Sequence, residues 1–293
     1  MENIKNIQSA KIKNGKASLF AGRFISYFFL VLLVLLCILP FYILIINCTR
    51  SNAEIQKGFS FVFGNQFITN WKSLRSDDQL PIIKAIRNSL FISGATAIIT
   101  TYFSSMTAHA INTYRFKFRK AAYIFILIIM MIPPQVSSSG FIRYVFKFNL
   151  ENTYYPLILP AIASPVVFFF IKQYMESVLP HDLIEAARID GASEFRTFHQ
   201  MVLPIIMPAI AVQLIFAFVS SWNNFYMPSL IIETATKRTI PLLINELRSG
   251  SPETFDLGKV YMLMTFAIVP ILAVYLVLSR FIIRGVTLGS VKG

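Results

Sequence analysis

Charge is scarce in this sequence. Only 14% of its 293 residues are Asp, Glu, Lys or Arg, whereas a soluble domain carries about a quarter. Apolar residues make up 55%, and the mean hydropathy is +0.62. They fall in blocks long enough to cross about 30 Å of hydrocarbon as helix. This excludes a soluble globular domain and predicts an all-α, multi-pass membrane protein. Cysteine is almost missing. Cys37 and Cys48 lie eleven residues apart on one predicted helix, about 16 Å along its axis. A disulfide needs Cα atoms within about 7 Å, so the two read as apolar fillers.

Catalytic equipment is absent as well. His109, His181 and His199 have no Cys or His at metal-ligand spacing. His109, near the inner end of the second apolar block, reads as an interfacial residue. No G-x-x-x-x-G-K-[ST] exists, since Gly15-Lys16-Ala17 lacks both the upstream glycine and the hydroxyl. The chain cannot hydrolyse ATP by that route, and no cofactor or metal is expected in it. The 14 acidic residues all fall in tails, loops or span edges. An ion-coupled secondary transporter usually places such groups in mid-membrane as relays. An intramembrane enzyme would need a nucleophile–base pair, which is also missing.

The net charge is +13, but the basic residues sit between apolar blocks. Anionic lipid headgroups are the expected partner, not nucleic acid. Residues 1–23 are polar and carry Lys5, Lys11, Lys13, Lys16 and Arg23, so the apolar run after them reads as a retained span, not a cleaved signal. Six spans are predicted, near Ile25–Asn47, Ser89–Ala110, Ala121–Ser138, Tyr155–Tyr174, Pro204–Ile231 and Lys259–Ile283. The second is rich in Ser, Gly and Ala, which lets helices pack closely in lipid. The third is broken by Pro133-Pro134. Arg115, Lys117, Arg119 and Lys120 crowd one short loop, which places that loop and both termini in the cytoplasm. Outside, the FSFVFGNQFITNWKSL segment is half apolar and is expected along the membrane surface. The loop at about Ile232–Gly258 reads as polar and flexible, with Gly250-Ser251-Pro252.

The longest charged stretch between apolar blocks is Pro180–Pro204. Asp182 followed by Glu185 fits a capping box and predicts a helix start. Gly191 is a natural stop, because glycine readily takes φ > 0. Ser193 is placed to cap a second helix, from Glu194 to about Leu203. Glu185 and Arg188 are spaced to pair on one face. Glu185-Ala186-Ala187, three residues, Gly191, nine residues and Met201-Val202-Leu203-Pro204 resemble the EAA loop of ABC importer permeases. The usual pattern is EAA-x3-G-x9-I-x-L-P, with Met201 here replacing isoleucine. Asn88-Ser89-Leu90, Met131-Ile132-Pro133, Trp222-Asn223-Asn224 and Gly289-Ser290-Val291-Lys292-Gly293 are similar, in order, to marks of the maltose-type carbohydrate permeases.

The resemblance implies a type I ABC importer permease in a bacterial inner or plasma membrane. Residues 1–84 would hold a cytoplasmic tail, the first span and an outer loop. Residues 85–283 would form a five-helix core with the EAA loop at 180–204, and residues 284–293 a cytoplasmic tail. The implied partners are a second, homologous permease, two cytoplasmic ATPase subunits that bind ATP and Mg, and an outer substrate-binding protein. Glu185, Ala186, Ala187, Asp190 and Gly191 would contact the ATPase, with Gly289, Lys292 and Gly293 reaching its interface. Trp222, Asn223, Asn224 and Tyr226, with Gln213 deeper in the same span, suit a sugar, whose apolar face stacks on aromatics and whose hydroxyls take amides. The same aromatics fit an interfacial belt equally well. The implied cargo is a sugar or oligosaccharide. A glycerophosphate or peptide importer, and more remotely an ion-coupled transporter, are the alternatives.

Overall fold

The computed structural model describes the backbone of residues 2–76, 80–249 and 255–289, and the side chains of residues 22–76, 80–180, 182–249 and 255–282. Helices follow the apolar blocks, and no strand occurs among the described residues. They run α1 (Glu2–Asn47), α2 (Asn52–Gln56), α3 (Phe67–Arg75), α4 (Ile82–Thr113), α5 (Arg119–Met130), α6 (Pro134–Lys147), α7 (Tyr155–Ile158) and α8 (Pro165–Val178). After them come α9 (His181–Ile189), α10 (Glu194–Thr197), α11 (Leu203–Ile205), α12 (Met207–Trp222), α13 (Tyr226–Ile231), α14 (Ile240–Arg248) and α15 (Leu257–Gly289).

Four stretches are long and apolar enough to span: Gly22–Asn47, Ile82–Thr113, Tyr155–Val178 and Leu257–Ile282. The predicted third and fifth spans are not single rods. α5 and α6 meet at 95°, and Glu194–Ile205 meets α12 at 80°. Proline causes both bends. Pro133 is the N-cap of α6 and Pro134 its first residue, and neither has an N–H to continue α5. Pro204 and Pro208 flank the break at Ile206. Counting each bent pair once gives the predicted six.

The chain divides into two compact units. The first holds residues 1–72 and 256–265. Its knot is the turn after α1. Arg50, though buried, spends its guanidinium on Asn47 Oδ1 and on the carbonyls of Glu54 and Gly58. The Asn70 amide donates to the carbonyls of Cys48 and Arg50, both at 2.9 Å. Cys48 lies just past the helix end and is buried, whereas Cys37 is exposed on α1.

The second unit holds residues 73–255 and 266–293 and is built around α4. Ser93, Ala97, Ser104, Ser105 and Ala108 are buried along it, and their small side chains let α8 and α12 lie close. The hydroxyls on α4 also mend a broken neighbour. Pro165 has no N–H to offer the carbonyl of Ala161, and Thr100 Oγ donates to that carbonyl at 3.0 Å instead. Ser104 Oγ reaches the carbonyl of Ser164 at 3.4 Å.

The Ile232–Gly258 loop departs from its predicted flexible character. It contains α14, and its approach is pinned to the start of α4. The Asn88 amide donates to the carbonyls of Thr236 and Arg238, each at 3.0 Å. Ser89 Oγ accepts from the Ile240 N–H at 2.9 Å, and this bond caps α14. The loop looked mobile because its anchors lie about 150 residues earlier. Gly250-Ser251-Pro252 lies outside the described residues.

Candidate functional site: the EAA corner and a neighbouring cavity

The Pro180–Pro204 stretch folds as helix, corner, helix. α9 starts one residue before Asp182, with Pro180 as N-cap and no side-chain capping bond. The expected capping box is therefore not formed. Asp182 lies inside the first turn, where its charge offsets the partial positive charge of the helix N-terminus. The stop at Gly191 is as expected. Its φ is +77°, and the Gly191 and Ala192 N–H groups close onto the carbonyls of Arg188 and Ala187 at 3.1 and 2.9 Å. This is a Schellman ending. Ser193 then caps α10 by accepting from the Arg196 N–H. The second helix widens into a π turn at Phe198–Val202 before α11.

One face of α9 is committed to the interior. Ile184 and Ala187 are each 2% exposed, and Ile184 joins the cluster of Phe198, Val202 and Ile206. Glu185, Ala186 and Asp190 face outward. Of the predicted contact residues, Ala187 is therefore the one the fold withholds from a partner. Two residues that sequence reasoning passed over are offered instead: Ile189 is 86% exposed and Phe195 65%. Both lie in the same charged stretch as Glu185, Arg188, Asp190 and Arg196. Their place in the charged stretch was the available signal.

The expected Glu185–Arg188 pair gives way to a longer link. Arg188 Nε donates to Glu194 Oε1 at 2.8 Å, across the corner. Tyr114, just past α4, donates its hydroxyl to Glu194 Oε2 at 2.8 Å. The Arg188 guanidinium lies 5.7 Å from the Tyr114 ring centre. Arg188 holds the Glu194 carboxyl below its ordinary range, with Tyr114 adding to the effect. Burial, followed by the bond to Glu194, pushes Tyr114 up to about 12. Two histidines lie behind this corner. His199 Nδ1 meets the Phe195 carbonyl at 2.8 Å, and its Nε2 lies 3.0 Å from Tyr102 Oη on α4. The neutral tautomer with the proton on Nδ1 satisfies both. His109, near the end of α4, is buried, with Nδ1 3.1 Å from Thr113 Oγ1 and its ring against Tyr114 and Phe198.

At the other end of α12, the proposed substrate-path residues separate. Trp222 and Asn223 line a half-open cavity of 330 Å³ together with Phe225, Ile240, Asn245 and Arg248. The Trp222 ring is buried and stacked on Phe218, with centres 5.7 Å apart. Asn224 does not share that space. Its Oδ1 accepts from the Met227 N–H at 3.3 Å, and it lines a separate gap of 20 Å³ beside Ser89 and Ser93. The Tyr226 hydroxyl lies 3.4 Å from Ser138 Oγ on α6. Gln213 is buried within α12. Asn245 and Arg248, from the loop that had looked flexible, are the cavity's unforeseen polar members. Of the tail residues, Gly289 ends α15, while Lys292 and Gly293 lie outside the described residues.

Comparisons with known proteins agree with this architecture. Residues 100–288 match the family described as binding-protein-dependent transport system inner membrane component. The arabinooligosaccharides transport system permease protein of Bacillus subtilis is 31% identical over 271 residues, covering 90% of this chain and 94% of its own. The trehalose/maltose transport system permease protein of Thermococcus litoralis is 29% identical over 266 residues, covering 90% and 94%. The sn-glycerol-3-phosphate transport system permease protein of Yersinia enterocolitica is 27% identical over 261 residues, covering 87% and 92%. The fold is that of a chain in a bacterial ABC transporter that imports the acidic polysaccharide alginate, with a TM-score of 0.75 at 17% identity over 87% of this chain and 94% of that one. The EAA corner and its ordered companion motifs thus lie in a chain that belongs to the inner-membrane components of binding-protein-dependent transport systems.

Proposed function

We propose that this chain is a permease subunit of an ABC importer for a sugar or oligosaccharide, driven by ATP that partner subunits hydrolyse. The observation that carries the reading is the EAA corner. It is a short helix locked at one end by Gly191 and seated on the interior through Ile184. Outward it presents Glu185, Ala186, Ile189 and Asp190. On the cytoplasmic side such an element fits a cleft in an ATPase subunit, and the Arg188–Glu194–Tyr114 link carries its displacement to α4. ATP and Mg belong to that partner. A homologous permease supplies the other half of the path, and a binding protein delivers the cargo at the opposite face. The saccharide class is taken from the relatives that carry arabinooligosaccharides and trehalose or maltose.

A second cargo class has its own support. Arg248 at the rim of the 330 Å³ cavity suits a carboxylate or phosphate, and a relative carries glycerol phosphate. Crosslinking tests the coupling half of the proposal. A cysteine at Ala186 or Ile189, both exposed, should crosslink to the ATPase subunit in an ATP-sensitive manner. Absence of a crosslink in an assembled complex would reduce the corner to an interfacial hairpin. Uptake of neutral against acidic oligosaccharides tests the cargo half.

A further inference from the structure

The loop that follows α1 carries an exposed apolar tip. Phe59, Phe61, Val62 and Phe63 are all more than half exposed, Val62 at 73%. Phe67 and Ile68 continue the exposed apolar surface onto the first turn of α3. In water this surface would be costly, at about 25 cal/mol for each Å² left wet.

The tip does not project away from the span. It folds back along it. Tyr42 donates its hydroxyl to the Phe61 carbonyl at 3.0 Å, and its ring meets those of Phe61 and Phe63 with centres 6.4 and 6.3 Å away. Phe59 sits edge-on to Phe61 at 4.5 Å. Tyr42 lies five residues before the end of α1 at Asn47, about 7.5 Å back along the axis. The long side chains of a helix also lean toward its N-terminus. The tip therefore lies level with the last turns of an apolar helix whose residues from Phe24 to Ile45 are largely exposed.

The backbone of the tip is prepared for such a place. Non-helical backbone near hydrocarbon must find internal partners. The Gly58 carbonyl takes Arg50, and the Phe61 carbonyl takes Tyr42. The Val62 N–H takes Ser60 Oγ, the Gly64 N–H takes Thr49 Oγ1, and the Gln66 N–H takes the Thr49 carbonyl. Aromatic rings at the end of an apolar span favour the boundary between headgroups and acyl chains.

We propose that residues 59–63 are an interfacial anchor whose partner is the lipid leaflet around the end of α1. The continuity of the tip with the lipid-facing surface of α1, and its depth beside Tyr42, favour lipid over a protein docking from water. A nitroxide label tests this. Val62→Cys is labelled in a Cys37→Ser, Cys48→Ala background, in the complex purified with its companion subunits and reconstituted in phosphatidylglycerol–phosphatidylethanolamine vesicles. Gln56→Cys in the same background gives the aqueous reference, and Cys37 alone gives the hydrocarbon reference. Accessibility to oxygen relative to a polar nickel chelate should be several-fold higher at position 62 than at 56, approaching that at 37. A nickel-accessible label would overturn the proposal and make the tip a docking face in water. A label shielded from both reagents would overturn it too, and assign the tip to a protein neighbour. Normal behaviour at the two reference positions shows that the variants have folded.

Discussion

The Tyr114 hydroxyl donates a 2.8 Å hydrogen bond to Glu194, eighty residues further along the chain. The same carboxylate takes Arg188 from the far side of the Gly191 corner. One side chain thus closes α9 onto α10 and ties both to the end of α4. Glu194→Gln keeps the shape and loses the charge. It should reduce ATP-driven uptake while leaving assembly with the ATPase intact, and Arg188→Gln should add little further loss in the double variant. Uptake in vesicles alongside copurification measures both.

The same link predicts a pH dependence. The folded-state pKa of Glu194 is depressed, so its contribution is fully present above the ordinary glutamate value. It is lost as pH falls through the lower, folded value. Proteolysis within residues 188–196 should therefore be slow at neutral pH and quicken only at acid pH, and the Glu194→Gln variant should be cleaved readily throughout.

Gly191 has φ +77° and open space around it. Gly191→Ala should therefore cost backbone strain alone, about 1–2 kcal/mol. Gly191→Asn should cost less, because asparagine tolerates the left-handed region. The order of thermal midpoints in detergent, wild type above Asn above Ala, is the check.

Ser89→Ala would strand the buried Ile240 N–H, at about 1–3 kcal/mol. Asn88→Ala would release the Thr236 and Arg238 carbonyls. Both should speed amide exchange in residues 236–245 while leaving exchange in α9 unchanged.

Thr100→Val removes the hydroxyl that serves the Ala161 carbonyl beside Pro165. The expected loss is about 1 kcal/mol, in keeping with interhelical hydrogen bonds in membranes. Thr100→Ser should restore it. Unfolding in mixed micelles compares the three.

How much of this was legible in the sequence depended on distance along the chain. Helices, the Gly191 stop and the Ser193 cap follow from local patterns, and each stands where it was expected. Even local reading slipped by two residues at Asp182, because Pro180 supplied the N-cap that Asp182 was expected to supply. The prolines at 133–134 and 204–208 announced breaks, but hydrophobic periodicity carries no angle, so bends of 95° and 80° were invisible. The candidate site suffered most. Glu194 finds Tyr114, and Ile240 finds Ser89, across separations that no spacing rule spans. Trp222 and Asn223 share a cavity with Asn245 and Arg248, whereas Asn224 and Tyr226 turn elsewhere.

The bonds at the two ends of α4 have a mechanical consequence. Asn88 and Ser89 hold the loop leading to α14, and Tyr114 holds the EAA corner. Tyr114 follows Asn88 by 26 residue steps, about 39 Å of helix, packed along most of that length by small side chains that leave little slack. In the coupling proposed above, a push on α9 would be delivered along α4 to the cavity wall at the far end. In that role α4 would serve as a push rod.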